Sequence, residues 1–288
     1  MGLDAPQRQD KLVMDVLTDQ AVSWLGKQDA RAPFFLYFTP VAVHQPVTPS
    51  AKTKGTSGCG PYGDWIHELD NSVGRILDEL DRLKLADNTL VIFTSDNGGV
   101  LLTSGDAPEA KAYAAGMRVS GPWRGRKHSI YEGGFRVPYL ARWPGKIPAG
   151  TVCDETINLV DTLATTAALI GQKLPPARDG AEDSFNFLPA LLGQKLSKPQ
   201  RPDMVVHSAD GVFAIRQGPW KWIEGRPSKS KPPKGRAEEF KPQLYNLKDD
   251  PAETRDVSAQ HPDVVARLRA SLHKYRSQGH SRDNLSNL

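Results

Sequence analysis

The segment Thr89–Gly99, TLVIFTSDNGG, runs from a continuous apolar stretch, Leu90 to Phe93, straight into Asp96 and Asn97. A carboxylate beside an amide carbonyl offers hard oxygen donors of the kind Ca²⁺ or Mg²⁺ takes. The Asn-Gly step is also a strong turn signal, so a tight turn without a metal is the competing reading. A second group, RGRKHSIYEGGFRVP, gathers Arg124, Arg126, Lys127, His128 and Arg136 around Gly133-Gly134. Such a cluster could hold a tetrahedral oxyanion, with Lys as a point charge and the glycines letting the backbone approach a ligand. The plainer reading is a basic surface turn. His44, in VAVHQPVTPS, could donate a proton to a leaving oxygen or be an ordinary solvated loop histidine. Cys59-Gly60-Pro61 has no neighbouring base or cation and reads as a free thiol. The basic stretch Arg226 to Lys241 lacks aromatics to stack bases and reads as a solvated loop, not a nucleic-acid patch.

These groups can act together only if the chain brings their loops to one edge. The Leu90–Phe93 run suits a strand buried on both faces, as in a parallel sheet covered by helices. In open α/β sheets ligands sit beyond the carboxyl ends of strands, where Asp96 and Asn97 fall. Phe34 to Phe38 reads as a second buried strand; if it is parallel to the first, the His44 loop opens on the same edge. Val13, Val16, Leu17, Val22 and Leu25 recur at helical spacing up to Gly26. A longer helix is expected from about Asp64 to Leu85, with Ile66, Leu69, Val73, Ile76, Leu77, Leu80 and Leu83 inward and Glu68, Asp78, Glu79 and Arg82 largely outside. Ala51 to Gly63 is expected to be mobile and Leu101 to Pro122 to be a long irregular loop. A strand at Tyr139–Trp143 and a helix from Asp161 to Gly171 follow. Near residue 200 the pattern changes. Val205-Val206, Val212–Ile215, Trp220–Ile223 and Gln243–Leu247 are short strand candidates. A helix carrying Val264, Val265, Leu268, Leu272 and Tyr275 closes the chain. The predicted organisation is an α/β domain over 1–200 and a small antiparallel sheet with one helix over 201–288.

With 288 residues, 39% hydrophobic and 24% charged, the chain can bury a large core and has an ordinary globular composition. A net charge of +4 and a pI near 9.0 are mild, favouring anionic substrates over a nucleic-acid partner. No segment approaches a membrane span, and MGLDAPQRQDKLVMD lacks the apolar core of a signal peptide. Neither a nucleic acid nor a membrane is an expected partner. The two cysteines, Cys59 and Cys153, allow at most one bridge and do not fix the redox compartment.

Taken in order, PFFLYFTPVAVHQP, YGDWIHELDNSVGRILDELDRLKLADNTLVIFTSDNGG, GRKHSIYEGGFRVPYLARWPGKI and LYNLKDDPAETRDV resemble successive signatures of the sulfatase family, within the alkaline-phosphatase-like superfamily. The resemblance implies an α/β, alkaline-phosphatase-like sheet covered by helices. It implies that Asp96 and Asn97 ligate an active-site Ca²⁺ (Mg²⁺ being the alternative), that Lys127 holds a sulfate oxygen, and that His44 contacts the sulfate or the departing ester oxygen. Val43 stands where the family commonly has Pro, and Arg126 where it has Gly. Neither moves a functional residue out of register. The family's nucleophile is a formylglycine made from the Cys or Ser of a C/S-x-P-x-R motif that precedes the His segment. Cys59-Gly60-Pro61-Tyr62-Gly63 imitates only its first and third positions and follows His44. The paired amino-terminal aspartates and the Gly-Lys-x-His segment have no counterpart either. The chain is therefore expected to correspond to roughly the carboxy-terminal 60% of a sulfatase, with the formylglycine in the other part.

The leading expectation is a sulfuric ester hydrolase acting on a sulfate ester of a small molecule or glycan, with this chain supplying half of the metal and sulfate site and inactive by itself. The alternatives are a catalytically inactive anion-binding or scaffold domain, and a phosphate or phosphonate ester hydrolase of the same superfamily. The Glu-Gly-Gly segment and the carboxy-terminal signature favour sulfate. Substrate choice would lie in variable loops, here Ala51–Gly63 and Leu101–Pro122. The resemblance implies a periplasmic, secreted or lysosomal location. It leaves the oligomeric state open.

Overall fold

A computed structural model describes residues 12–225 and 241–283. Of the basic stretch at 226–241, only Lys241 is among them. The chain divides into two compact units. One comprises Met1–Val91, Val100–Val119 and Trp143–Gly145; the other comprises Ile92–Gly99, Ser120–Arg142 and Lys146–Leu288.

In the first unit, helix α1 (Val13–Leu25) packs on helix α2 (Gly60–Arg82). The buried face of α1 is Met14, Thr18, Ala21 and Leu25, a stripe that shares only Leu25 with the expected one and leaves Val16 53% exposed. Thr18 fits that face because its hydroxyl donates to Met14 O at 2.6 Å. Helix α2 starts four residues earlier than expected: Pro61 falls in its first turn, where a missing N–H costs nothing. It ends in a Schellman turn. Lys84 takes φ 57°, Lys84 N–H donates to Asp81 O at 3.0 Å, and Leu85 N–H donates to Leu80 O at 2.9 Å, with Leu80 and Leu85 sharing one apolar cluster.

Glu68, expected outside, is buried. Its Oε2 accepts Ser50 N–H and Thr53 Oγ1–H, each at 2.7 Å. Asp64 likewise accepts Gly55 N–H (2.7 Å), Ser57 N–H (3.0 Å) and the Ser57 hydroxyl (2.8 Å). The segment expected to be mobile is thus tied to α2 as a series of turns. The long loop after Gly99 is interrupted by helix α3 (Pro108–Ala114), which buries Ala110 and Ala112. Phe34 to Phe38 is extended, but no strand is assigned there. Phe34 and Leu36 join the α1–α2 cluster, while Phe35 is 82% and Tyr37 80% exposed. It is a half-buried extended segment rather than a strand buried on both faces.

Strand β1 (Val91–Thr94) pairs with β2 (Tyr139–Arg142). Both alternate half-buried and exposed residues, so the expectation of a strand covered on both faces fails here too. In the second unit, the single turn α4 (Glu132–Phe135), helix α5 (Asp161–Leu169) and the single turn α6 (Leu188–Leu191) precede an antiparallel sheet. Its strands are β3 (Met204–His207), β4 (Phe213–Gln217), β5 (Trp220–Ile223) and β6 (Gln243–Asn246), in sequence order. A two-residue Gly218-Pro219 turn, with Gly218 at φ 55°, joins β4 to β5 and sets the Gln217–Trp220 register.

Period-two alternation gives this sheet two apolar faces. Ile215, Trp222 and Leu244 pack on Val264, Leu268 and Leu272 of helix α7 (Pro262–Gln278). Their neighbours Ala214, Ile223 and Tyr245 pack on Ile130, with Tyr131 and Phe135 alongside. A wholly buried leucine such as Leu268 is worth about 2–5 kcal/mol against alanine, so the sheet is firmly seated on both sides. Its second face therefore clamps the Arg124–Pro138 segment. Among the described residues no helix is long and apolar enough to cross a membrane.

Candidate active site

Beyond β1 the chain turns through Ser95-Asp96-Asn97-Gly98-Gly99. The Ser95 hydroxyl donates to Asn97 O at 3.3 Å, and Asn97 Nδ2 donates to Gly98 O at 2.8 Å. Among the described residues that bond leaves Asn97 Oδ1 unpaired, beside the exposed Asp96 carboxylate, which accepts a single long 3.4 Å contact from the Ser95 hydroxyl. Two hard oxygens thus project from one turn, and their chemistry fits part of a Ca²⁺ or Mg²⁺ shell. Among the described residues no group of three or more His, Cys, Asp or Glu side chains could hold a metal, so Asp96 and Asn97 would leave most positions to other oxygens.

This turn is fastened to the basic segment by backbone. Gly98 N–H donates to Gly134 O at 3.0 Å, and Lys127 N–H donates to Gly99 O at 2.9 Å. The two loops approach so closely that a Cβ on Gly98 would lie 1.8 Å from Gly133 O. Gly133 and Gly134 are equally confined: a Cβ would meet Arg124 O at 2.7 Å or Ser129 O at 2.3 Å. The paired glycines therefore serve the approach of the protein's own backbone, where the sequence suggested approach to a ligand.

The cations of the segment separate into two kinds. Arg124 stacks on Tyr131 at 3.7 Å and donates to Tyr245 Oη (3.1 Å) and Glu253 O (2.8 Å). Arg136 stacks on Trp123 at 3.9 Å, with its Nη1 3.7 Å from Glu132 Oε2. Both hold the segment in place. Lys127 is half-buried, and its ammonium makes no hydrogen bond or ion pair among the described residues, which leaves it available to an anion.

Glu132 opens α4 within a buried ionic group. Lys221 Nζ donates to Glu132 Oε1 at 2.9 Å and lies 2.8 Å from Glu253 Oε1, in an ion pair off the hydrogen-bonding direction. Glu253 Oε2 accepts Glu132 N–H at 2.6 Å. Burial pushes the Glu253 carboxyl up, against the pull of the Lys221 charge. Nothing in the sequence pattern singled out Lys221 or Glu253.

His44 stands in the first unit, exposed, with Nδ1 2.8 Å from Gln45 O. Its loop is held by Trp65 Nε1–H donating to His44 O at 3.2 Å and by Gln45 Nε2–H donating to Glu109 Oε1 at 2.7 Å. Asp96, Asn97 and Lys127 come together in the second unit. Cys59 is a half-buried free thiol preceding α2, with no base bonded to it among the described residues; its N–H donates to the Ser57 hydroxyl at 3.1 Å. A bare C/S-x-P-x-R match, not among the expected site residues, lies at Ser120-Gly121-Pro122-Trp123-Arg124. It follows the Asp-Asn-Gly turn instead of preceding the His segment. The Ser120 hydroxyl oxygen is buried without a hydrogen-bond partner among the described residues, and Arg124 is committed to Tyr245 and Glu253. Among the described residues neither the Cys59 thiol nor the Ser120 hydroxyl is hydrogen-bonded to a base. A cavity of about 380 Å³ in the second unit is lined by Arg136, Arg201, Arg216, Asp154, Glu155 and Asp203 among others, mixed charges that include neither Asp96 nor Lys127.

Comparison with known proteins agrees with these motifs. The chain is 36% identical over 279 residues to an N-acetylgalactosamine-6-O-sulfatase of Bacteroides thetaiotaomicron, covering 93% of this chain and 52% of that protein. It is 40% identical over 213 residues to human N-acetylgalactosamine-6-sulfatase, covering 72% and 38%. A solved B. thetaiotaomicron structure from work on the metabolism of multiple glycosaminoglycans superposes with a TM-score of 0.83 at 36% identity, covering 94% of this chain and 55% of that one. The chain spans about half the length of the first of these curated relatives and less of the second. Its α/β architecture is the alkaline-phosphatase-like one shared with such structures. The sequence model of the sulfatase family matches residues 5–172, and the chain belongs to the sulfatase family.

Proposed function

We propose that this chain supplies the metal-binding turn and the sulfate-holding lysine of a sulfuric ester hydrolase. The observation that carries this reading is the backbone fastening of the Asp96-Asn97 turn to the Lys127 segment, in a chain of the sulfatase family. Asp96 and Asn97 would hold a Ca²⁺, or a Mg²⁺, through Oδ atoms that have little or no other protein partner. The bound cation would supply Lewis acidity toward a sulfate oxygen. Lys127 would balance charge on the transferring sulfuryl group, and His44 would protonate the departing alcohol oxygen. The division into a catalytic part over 1–200 and a subdomain over 201–288 belongs to the same reading, as does a periplasmic, secreted or lysosomal location. The names of the two relatives make a 6-O-sulfated amino sugar of a glycan the first substrate to try.

A second reading is an anion-binding domain without turnover. It is favoured by the burial of the Ser120 oxygen and the lack of a base beside Cys59. The chain as it stands, assayed on an aryl sulfate with Ca²⁺, should show no turnover above background, while sulfate ion should bind in a manner lost in Lys127→Ala. Turnover abolished by Cys59→Ala or by Ser120→Ala would name the nucleophile and overturn the inactivity of this chain. Sulfate binding indifferent to Lys127→Ala would overturn the assignment of the anion site.

A further inference from the structure

Glu253 lies in the turn after β6, beyond the residues matched by the family model, yet its atoms reach the centre of the candidate site's support. It is 0% exposed and takes φ 53°, a left-handed conformation that a residue with a Cβ seldom adopts. Three of its atoms are committed. Its carbonyl accepts Arg124 Nη1–H, its Oε2 accepts Glu132 N–H, and its Oε1 faces the Lys221 ammonium. Lys221, itself 1% exposed, bridges back to Glu132 Oε1.

Burying two carboxylates and an ammonium is an expensive way to gain stability, because well-packed apolar side chains of similar volume often do as well or better. What the ionic group supplies is direction. It fixes where the Glu132 N–H points, and hence where Gly133 and Gly134 begin. Those glycines receive Gly98, and the same segment presents Lys127 to Gly99.

Resting on the proposed function, we propose that Glu253 and Lys221 are positioning residues for the sulfate and metal site. Through Glu132 they hold the Lys127 segment and the Asp96-Asn97 turn in register, so the carboxy-terminal sheet is a working part of the active site. Neither residue touches substrate or metal in this scheme.

Glu253→Gln tests it with almost no change of shape. One amide cannot accept from Glu132 N–H and also face Lys221 with an oxygen, so one of the two ties is lost. Glu253→Gly is the second variant; it suits the left-handed backbone while removing the carboxylate. Amide hydrogen exchange supplies a readout that a merely stabilising role would not single out. The expected result in both variants is exchange about tenfold faster at Gly98 and Lys127, as one weakened hydrogen bond of a local opening would give. Leu268 and Leu272 of α7 should stay within about twofold of the parent. Equal acceleration in α7, or no change at Gly98 and Lys127, would overturn the proposal. Calcium titration of the same samples separates the two ideas. Absence of Ca²⁺ binding in the parent would defeat the metal reading while the exchange pattern still decides the positioning role.

Discussion

Gly98→Ala is the substitution with the largest expected effect for its size. The new Cβ would stand 1.8 Å from Gly133 O and 2.8 Å from Gly133 C, both backbone atoms that cannot rotate away. Ordinary contact begins near 3.4 Å, so the two loops must part by about 1.6 Å along that line. Overpacking of this kind costs about 1–3 kcal/mol. The Gly98 N–H to Gly134 O bond would be stretched in the same movement, for a further ~0.5–1.5 kcal/mol. A total loss of about 1.5–4.5 kcal/mol is expected in the second unit. Gly74→Ala, within α2 and with nothing within 4 Å of its would-be Cβ, is the control. It should stabilise by about 1 kcal/mol through helix propensity alone. Urea unfolding followed by far-UV circular dichroism compares the two. If Gly98→Ala unfolds within about 0.5 kcal/mol of the parent, the close approach of the two loops is wrong and the site built on it falls.

Arg201→Ala should cost about 3–5 kcal/mol in urea unfolding. Its guanidinium pairs with the buried Asp161 and donates to Asp183 O and Asp203 O, and removing it strands a carboxylate that is 1% exposed. Tyr139 carries a buried hydroxyl without a hydrogen-bond partner among the described residues, and its pKa is pushed up to about 12 by burial and then by the charge of Asp161. The folded state therefore keeps the proton that the unfolded chain loses near pH 10, so stability falls as pH rises from 10 toward 12. Tyr139→Phe should be neutral or stabilising at pH 7 and should flatten that alkaline decline in urea unfolding at pH 8, 10 and 11. Phe35 and Tyr37 project from an extended segment with no assigned strand pairing, an arrangement that favours association. Phe35→Ser with Tyr37→Ser should lower light scattering at high concentration with little change in the unfolding midpoint.

The parts legible in the sequence were those with local signatures. Asp96-Asn97 at a strand end, the lysine beside a Glu-Gly-Gly step and the apolar periodicity of α2 and α7 all depend on residues close in the chain. The four carboxy-terminal strands were legible for the same reason, being β-branched or aromatic runs, two of them joined by Gly218-Pro219. Strand pairing at Phe34–Phe38 was not, because a ladder needs a neighbour that composition does not specify. Glu68 looked like a solvent-facing acid, yet it is the acceptor for the amide of Ser50 and the hydroxyl of Thr53, a role visible only once that loop folds back. Gly60-Pro61 looked like loop, although Pro in the first helical turn is favourable. The Glu132–Lys221–Glu253 group was the least legible. Its members lie 89 and 121 residues from Glu132, and Glu253 sits in DDPAETRDV, where any acid reads as surface.

Whether Asp96 and Asn97 form a divalent-metal turn joined to the Lys127 anion site is read by titrating the chain with Ca²⁺ while following backbone amide resonances. Two protein ligands should give weak binding, with shifts concentrated at 95–99 and at the hydrogen-bonded Lys127 and Gly134, and lost in Asp96→Ala. Shifts that persist in Asp96→Ala, or that fall elsewhere in the chain, would contradict the account.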